Sequence, residues 1–195
     1  MSEALAALVP HIRRCRACAP HLPHAPRPVL QVSSTARLCI AGQAPGARVH
    51  KSGKPFTDPS GTRLRNWMGV DEDIFYDAAR IAIVPMGFCF PGLNEKGSDL
   101  PPRKECAETW HGRLFEVLPQ IETILLVGGY AQKWHLGTRA KDTLTQTVAA
   151  WAEYGPEFIP VPHPSWRNNA WLKKNPWFVS AVLPVLRERV AELVL

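Results

Sequence analysis

Four short apolar runs, at 36–41, 81–84, 123–127 and 158–161, restrict the fold of this chain more than anything else in it. They are rich in β-branched residues, too short for buried helices, and separated by segments long enough to carry helical crossovers. Such runs predict strands of a parallel sheet covered on both faces. The expected architecture is α/β: a three-layer α/β/α arrangement around a central four-stranded parallel sheet. Apolar periodicity and capping residues predict helices over 3–14, 61–68 behind Ser60 as N-cap, 104–118, 131–136, 143–154 and 176–194. Residues 19–34 carry Pro20, Pro23, Pro26 and Pro28 without apolar periodicity, so this stretch is expected to wrap the surface.

With 195 residues, 46% of them hydrophobic, the chain is expected to form one domain over 1–195 with a normal core. No apolar run approaches the roughly 20 residues needed to cross a bilayer, and the first residues lack a secretory leader pattern. The expectation is a cytoplasmic, monomeric protein without membrane contact. Twenty-three Lys and Arg against seventeen Asp and Glu leave a net charge of +6, which suits a polyanionic partner such as nucleic acid.

Five cysteines in a cytosolic chain point to metal binding or catalysis rather than disulfides. Cys15 and Cys18 form a C-x2-C pair. Cys89 and Cys106 bracket sixteen residues whose Pro91, Gly92, Pro101 and Pro102 mark a loop. Four thiolates brought together would complete a tetrathiolate site for an iron–sulfur cluster or for zinc. Cys39 lies within the first strand and reads as a small buried hydrophobe.

Parallel sheets bind ligands beyond the carboxyl ends of their strands, which draws attention to the loops at 42–61, 86–103 and 162–169. Gly42-Gln43-Ala44-Pro45-Gly46 is a turn bounded by glycines, able to bring backbone N–H groups close to a ligand. Downstream, Gly53-Lys54-Pro55-Phe56-Thr57-Asp58-Pro59-Ser60-Gly61 presents an aromatic ring, a carboxylate and a helix N-terminus together.

These two segments, with Pro162-His163-Pro164-Ser165 after the fourth run and the cysteine pattern, resemble the uracil-DNA glycosylase superfamily. The likeness is closest to its iron–sulfur, family 4/5-like bacterial and archaeal branches and runs in order along nearly the whole chain. In the iron–sulfur branch a C-x2-C and a second pair flanking a Pro-Gly-Asn-like loop hold a [4Fe–4S] cluster. The resemblance therefore implies such a cluster on Cys15, Cys18, Cys89 and Cys106, with Pro91, Gly92 and Asn94 in the loop, and zinc as the lesser alternative. It also implies a partner, DNA containing a deaminated base. Such a base must be flipped out of the duplex into a pocket to be reached. Phe56 would stack on it, Gly42 and Ala44 would line it with backbone, and His163 would donate to its carbonyl. Ser165, Trp166, Arg167 and Asn168 would enter the DNA groove, with Arg167 or Trp166 filling the gap. Arg63, Arg65, Lys173 and Lys174 are candidates for phosphate contacts.

Two departures bear on chemistry. The iron–sulfur branch has Glu where this chain has Gln43, which cannot act as a general base. Asp58 is the preferred substitute for activating water, with Gln43 positioning water or base; the competing reading makes Asp58 a capping residue, and His50 is a further candidate. The branch also carries an Asn at the end of the second strand, where this chain has Pro85-Met86-Gly87. Asn94 is the candidate replacement for reading the base edge, and hypoxanthine or xanthine stands beside uracil as a substrate. The implied activity is a monofunctional hydrolysis of the N-glycosidic bond, uracil foremost, that opens base excision repair. The other reading is a catalytically inactive iron–sulfur protein of the same fold that binds DNA or senses damage.

Overall fold

The computed structural model describes residues 2–195. Leu38–Ala41 (β1), Ile81–Ile83 (β2), Thr123–Val127 (β3) and Phe158–Val161 (β4) form one parallel sheet in the order β2-β1-β3-β4. The register sets Leu38 beside both Ile81 and Thr123, and Ile124 beside Phe158.

Successive side chains point to opposite faces of a strand, so each buried strand feeds two cores. Cys39, Ala41, Ala82, Val84, Ile124, Leu126 and Phe158 pack under Glu3–Arg13 (α1), Lys104–Glu116 (α5) and Gly129–Leu136 (α6). Leu38, Ile40, Ile81, Ile83, Leu125, Val127, Ile159 and Val161 pack against the opposite layer. That layer holds Pro59–Met68 (α3), Glu72–Tyr76 (α4), Leu144–Ala149 (α7) and Leu183–Val194 (α9), the last entered through a π-helical turn at Phe178–Val182. The three-layer arrangement expected from the sequence is the one found.

Three short helices escaped the sequence reading: Ala47–Ser52 (α2), α4 and Asn169–Lys174 (α8). Each has only five or six residues, less than two turns, and shows too little apolar repetition to stand out from a loop. The start of α3 also differs from expectation. Asp58, not Ser60, is its N-cap: one carboxylate oxygen accepts from the N–H of Gly61 at 3.1 Å, and Pro59 takes the first helical position, where it gives up no helical hydrogen bond. The segment expected as one helix over 143–154 breaks after Ala149 into a 3-10 turn at Trp151–Glu153, behind a capping box of Thr143 and Gln146.

The outer edge of β2 is closed by the proline-rich connector. Gln31 makes an antiparallel bridge to Ile83, donating to its carbonyl at 3.0 Å and accepting from its N–H at 2.7 Å. The Gln31 amide also donates to the carbonyl of Ile81 at 2.8 Å, and the Ile81 N–H donates to Asp77 at 2.9 Å. Among the described residues no helix is long and apolar enough to cross a membrane.

Candidate active site

The chain leaves β1 for β2 on one side of the sheet and later returns to β3 on the other, so the loops diverge beyond the carboxyl ends of these strands and leave a crevice. A cleft of about 60 Å³ opens there. Gly42, Gln43, Ala44, Pro45 and Gly46 follow from β1, while Ile83 and Pro85 come from β2 and just beyond it. Phe56, Asp58 and Ser60 come from the approach to α3, and His163 from the loop after β4. Gln43, Phe56, Asp58 and His163, spread over 120 positions of sequence (163 − 43), thus face one cavity.

The backbone of Phe56 is left-handed, with φ of 54°, a conformation that costs a non-glycine residue on the order of 1–3 kcal/mol. Its surroundings hold it there. The Tyr76 hydroxyl reaches the carbonyls of Pro55 and Phe56 at 2.9 and 3.1 Å, the ring meets Phe75 edge-on at 6.0 Å, and Gly42 leaves room for the ring's tip, 3.3 Å from where a Cβ would stand. The result is a half-buried aromatic face turned to the cleft.

His163 is fixed by its own loop. The Ser165 N–H donates to Nδ1 at 3.2 Å, and the Asn168 amide donates to the His163 carbonyl at 2.6 Å. Because Nδ1 accepts, the ring proton of the neutral form lies on Nε2, which becomes a donor. Burial lowers the pKa of His163, against the opposing pull of Asp58 and Asp99, so the ring is neutral near pH 7. Arg63 completes the support by donating to the Ser165 carbonyl at 3.0 Å.

Several expected site residues sit elsewhere. Asn94 is exposed and does not line the cleft; its side-chain oxygen accepts from the N–H groups of Lys96 and Ser98 at 3.0 and 2.9 Å and so shapes its own loop. Its assignment as a base-reading residue is corrected. Arg65 turns from the surface to lie over Phe75 and Tyr76, 5.5 and 5.9 Å from the ring centres, and is no free phosphate ligand. Ser165 and Asn168 serve His163 through the bonds above. His50 is not a lining residue: its ring packs against His24 and Phe90 at 5.1 and 5.8 Å. Trp166, 72% exposed, carries Arg167 5.8 Å above its ring, and Lys173 and Lys174 are exposed at the end of α8. Asp99, which the sequence reading passed over, lines the mouth of the cleft.

Cys15, Cys18, Cys89 and Cys106 line a second cavity together, between the turn after α1 and the first turn of α5. All four are free thiols, and Cys106 accepts from the Phe88 N–H at 3.3 Å. Burial pushes Cys89 up to about 11 and Cys106 to about 12. Among the described residues no three His, Cys, Asp or Glu side chains converge closely enough to hold a single ion. Cys39 is fully buried within β1, away from the cavity.

A family model described as the Uracil DNA glycosylase superfamily matches residues 30–187. The chain belongs to the uracil DNA glycosylase superfamily. The superfamily segment takes in all four strands and, of the cleft, Gln43, Phe56, Asp58, Asp99 and His163, while Cys15 and Cys18 precede it. The fold is also similar to a solution NMR structure from Methanosarcina acetivorans, provisionally named a uracil DNA glycosylase. The TM-score is 0.50 at 15% identity, over 81% of this chain and 93% of that one. Superfamily membership supports DNA glycosylase activity at the family level, with DNA as the partner.

Proposed function

We propose that the protein hydrolyses the N-glycosidic bond of a deaminated base in DNA, uracil foremost, leaving an abasic site for base excision repair. The observation that carries this reading is the meeting of Gln43, Phe56, Asp58 and His163 in one cleft at the carboxyl end of the sheet.

Breaking the bond leaves positive charge on the sugar and negative charge on the departing base. The flipped ring stacks on Phe56. His163, neutral and with its proton on Nε2, donates to the base carbonyl where negative charge grows; being neutral, it stabilises that oxygen without having to surrender a proton. Asp58 has one oxygen engaged by the Gly61 N–H, which leaves the other to take a proton from the attacking water. Gln43 orients water or base through its amide. Trp166 and Arg167 stand beside His163 to fill the gap in the duplex, and Lys173 and Lys174 meet phosphates.

The four thiols fit a [4Fe–4S] cluster. A cubane gives each thiolate its own iron, so its ligands need to face one cavity, as these four do. The Phe88 N–H aimed at the Cys106 sulfur suits a thiolate acceptor. Bound there, the cluster would supply a structural tie between the N-terminal turn and α5.

The test is cleavage of single- and double-stranded oligonucleotides carrying uracil, hypoxanthine or xanthine, followed by alkali. Scission at the uracil position is the expected result. DNA binding with no scission on any substrate would instead make this a damage-sensing protein of the same fold, the outcome that Gln43 in place of Glu invites.

A further inference from the structure

The loop between Pro91 and Pro101 is more than a bridge between the second pair of cysteines. Leu93 and Asp99 pair as an antiparallel bridge, and Leu100 donates to the Gly92 carbonyl at 2.9 Å. Asn94 closes the tip through its side-chain oxygen and through its backbone, which exchanges bonds of 2.8 and 2.9 Å with Ser98 and Gly97. This small hairpin delivers one side chain to the cleft. The Asp99 oxygens lie 3.6 and 3.9 Å from where a Cβ on Gly46 would be, an ordinary contact distance that sets the carboxylate beside the turn leaving β1. Neither Asp99 oxygen has a side-chain or backbone donor among the described residues, in contrast to Asp58 with its capping bond.

Depth within the cleft separates the parts. Gly42, Ser60 and Pro85 are buried at its floor, Phe56 and His163 are intermediate, and Asp99 is exposed at its mouth. A flipped nucleotide enters base first, which leaves its deoxyribose at the level of Asp99.

Resting on the proposed glycosylase reading, we propose that Asp99 is a second catalytic carboxylate, facing the deoxyribose. It stabilises the cationic sugar and, together with Asp58, holds the attacking water. In this step the C1′–N bond breaks with its electron pair leaving on the base. The water oxygen forms the new C1′–O bond, and its proton passes to a cleft carboxylate and on to solvent. Partial burial of the carboxylate raises the pKa of Asp99, Arg167 and His163 oppose the rise, and Asp58 adds to it. An ionised Asp99 is needed, so its protonation contributes to the acid limb of the rate profile.

The experiment compares parent, Asp99→Asn and Asp99→Glu proteins in single-turnover cleavage of a uracil oligonucleotide across pH, with binding to abasic-site DNA as control. Asp99→Asn should slow cleavage about 10- to 100-fold while binding and Tm stay unchanged, and should shift the acid limb; Asp99→Glu, which keeps the charge, should recover part of the rate. A parent that cleaves and an Asp99→Asn protein that cleaves equally well with the same pH profile would overturn the role of Asp99 alone. A parent that cleaves no substrate would overturn the glycosylase reading, and the role of Asp99 with it.

Discussion

A methyl group on Gly61 would stand 1.8 Å from the carbonyl oxygen of Phe56. The first turn of α3 is thus packed directly against the strained backbone of the stacking residue, and only glycine permits that approach. Gly61→Ala should lower stability by about 1–3 kcal/mol through overpacking and displace Phe56. The matched control is Gly112→Ala in α5, where a Cβ meets nothing within 4 Å. It should be stabilising by roughly 0.5–1 kcal/mol, the usual gain over glycine within a helix. Urea unfolding of both variants reads the contrast.

Phe56→Ala should weaken substrate binding by about 1–3 kcal/mol, the worth of one base–aromatic stack, and appear mainly in KM. His163→Ala removes a donor that matters most as the bond breaks. It should lower kcat by about 10²- to 10³-fold. Single-turnover and steady-state rates on one uracil oligonucleotide separate the two effects, and a His163→Ala protein with the parent's kcat would refute its role.

On the proposed reading, Trp166 and Arg167 act on the duplex rather than on the base. Trp166→Ala should therefore slow cleavage of double-stranded substrate more than of single-stranded substrate, since only the former leaves a gap in a stack. Equal loss on both would assign Trp166 to something other than the wedge.

Iron and acid-labile sulfide, counted per chain after anaerobic purification, test the cysteine cavity. Cys89→Ser and Cys106→Ser should lose both. Cys39→Ser, which puts a hydroxyl into the middle of β1, should keep the parent's iron content and lose stability instead. Zinc without sulfide would overturn the cluster.

Burial drives His111 and His135, on neighbouring helices 6.1 Å apart between ring centres, down to about 4. The unfolded chain therefore takes up protons first as pH falls below about 6.5. Stability contributed by these neutral rings is complete above that value and is lost as pH falls towards 4, by roughly 1.4 kcal/mol per group per pH unit at most. His135 Nε2 is also buried without a partner. His135→Leu should thus be neutral or mildly stabilising at pH 7.5 and clearly stabilising at pH 5; denaturant midpoints at the two pH values check the sign.

Much of this was legible in the residues. The third and fourth strands match their sequence bounds because a fully buried strand must be apolar at every position, which leaves sharp edges against the polar loops. The cleft residues Gln43, Phe56, Asp58 and His163 were readable because each stands a few residues past a strand or before a helix, where topology alone sends it to one end of the sheet. Asp99 was not. Its position depends on how the hairpin folds back over Gly46, a tertiary path that no local pattern encodes. Asn94 misled for the related reason that an Asn in a loop serves its own turn as readily as a ligand, and Arg65 because helix periodicity does not reveal the aromatic rings of Phe75 and Tyr76 waiting beside it.

Gln31 has a bearing on how copies of the molecule meet. With both polar backbone atoms of Ile81 and of Ile83 already occupied, a foreign strand arriving along β2 finds no donor to receive and no acceptor to offer. Growth of the sheet by addition of a neighbour's backbone is barred on that flank. A connector that meets the sheet through a single bridging residue, rich in prolines that cannot donate, thus acts as a selvedge that keeps the fabric from being extended.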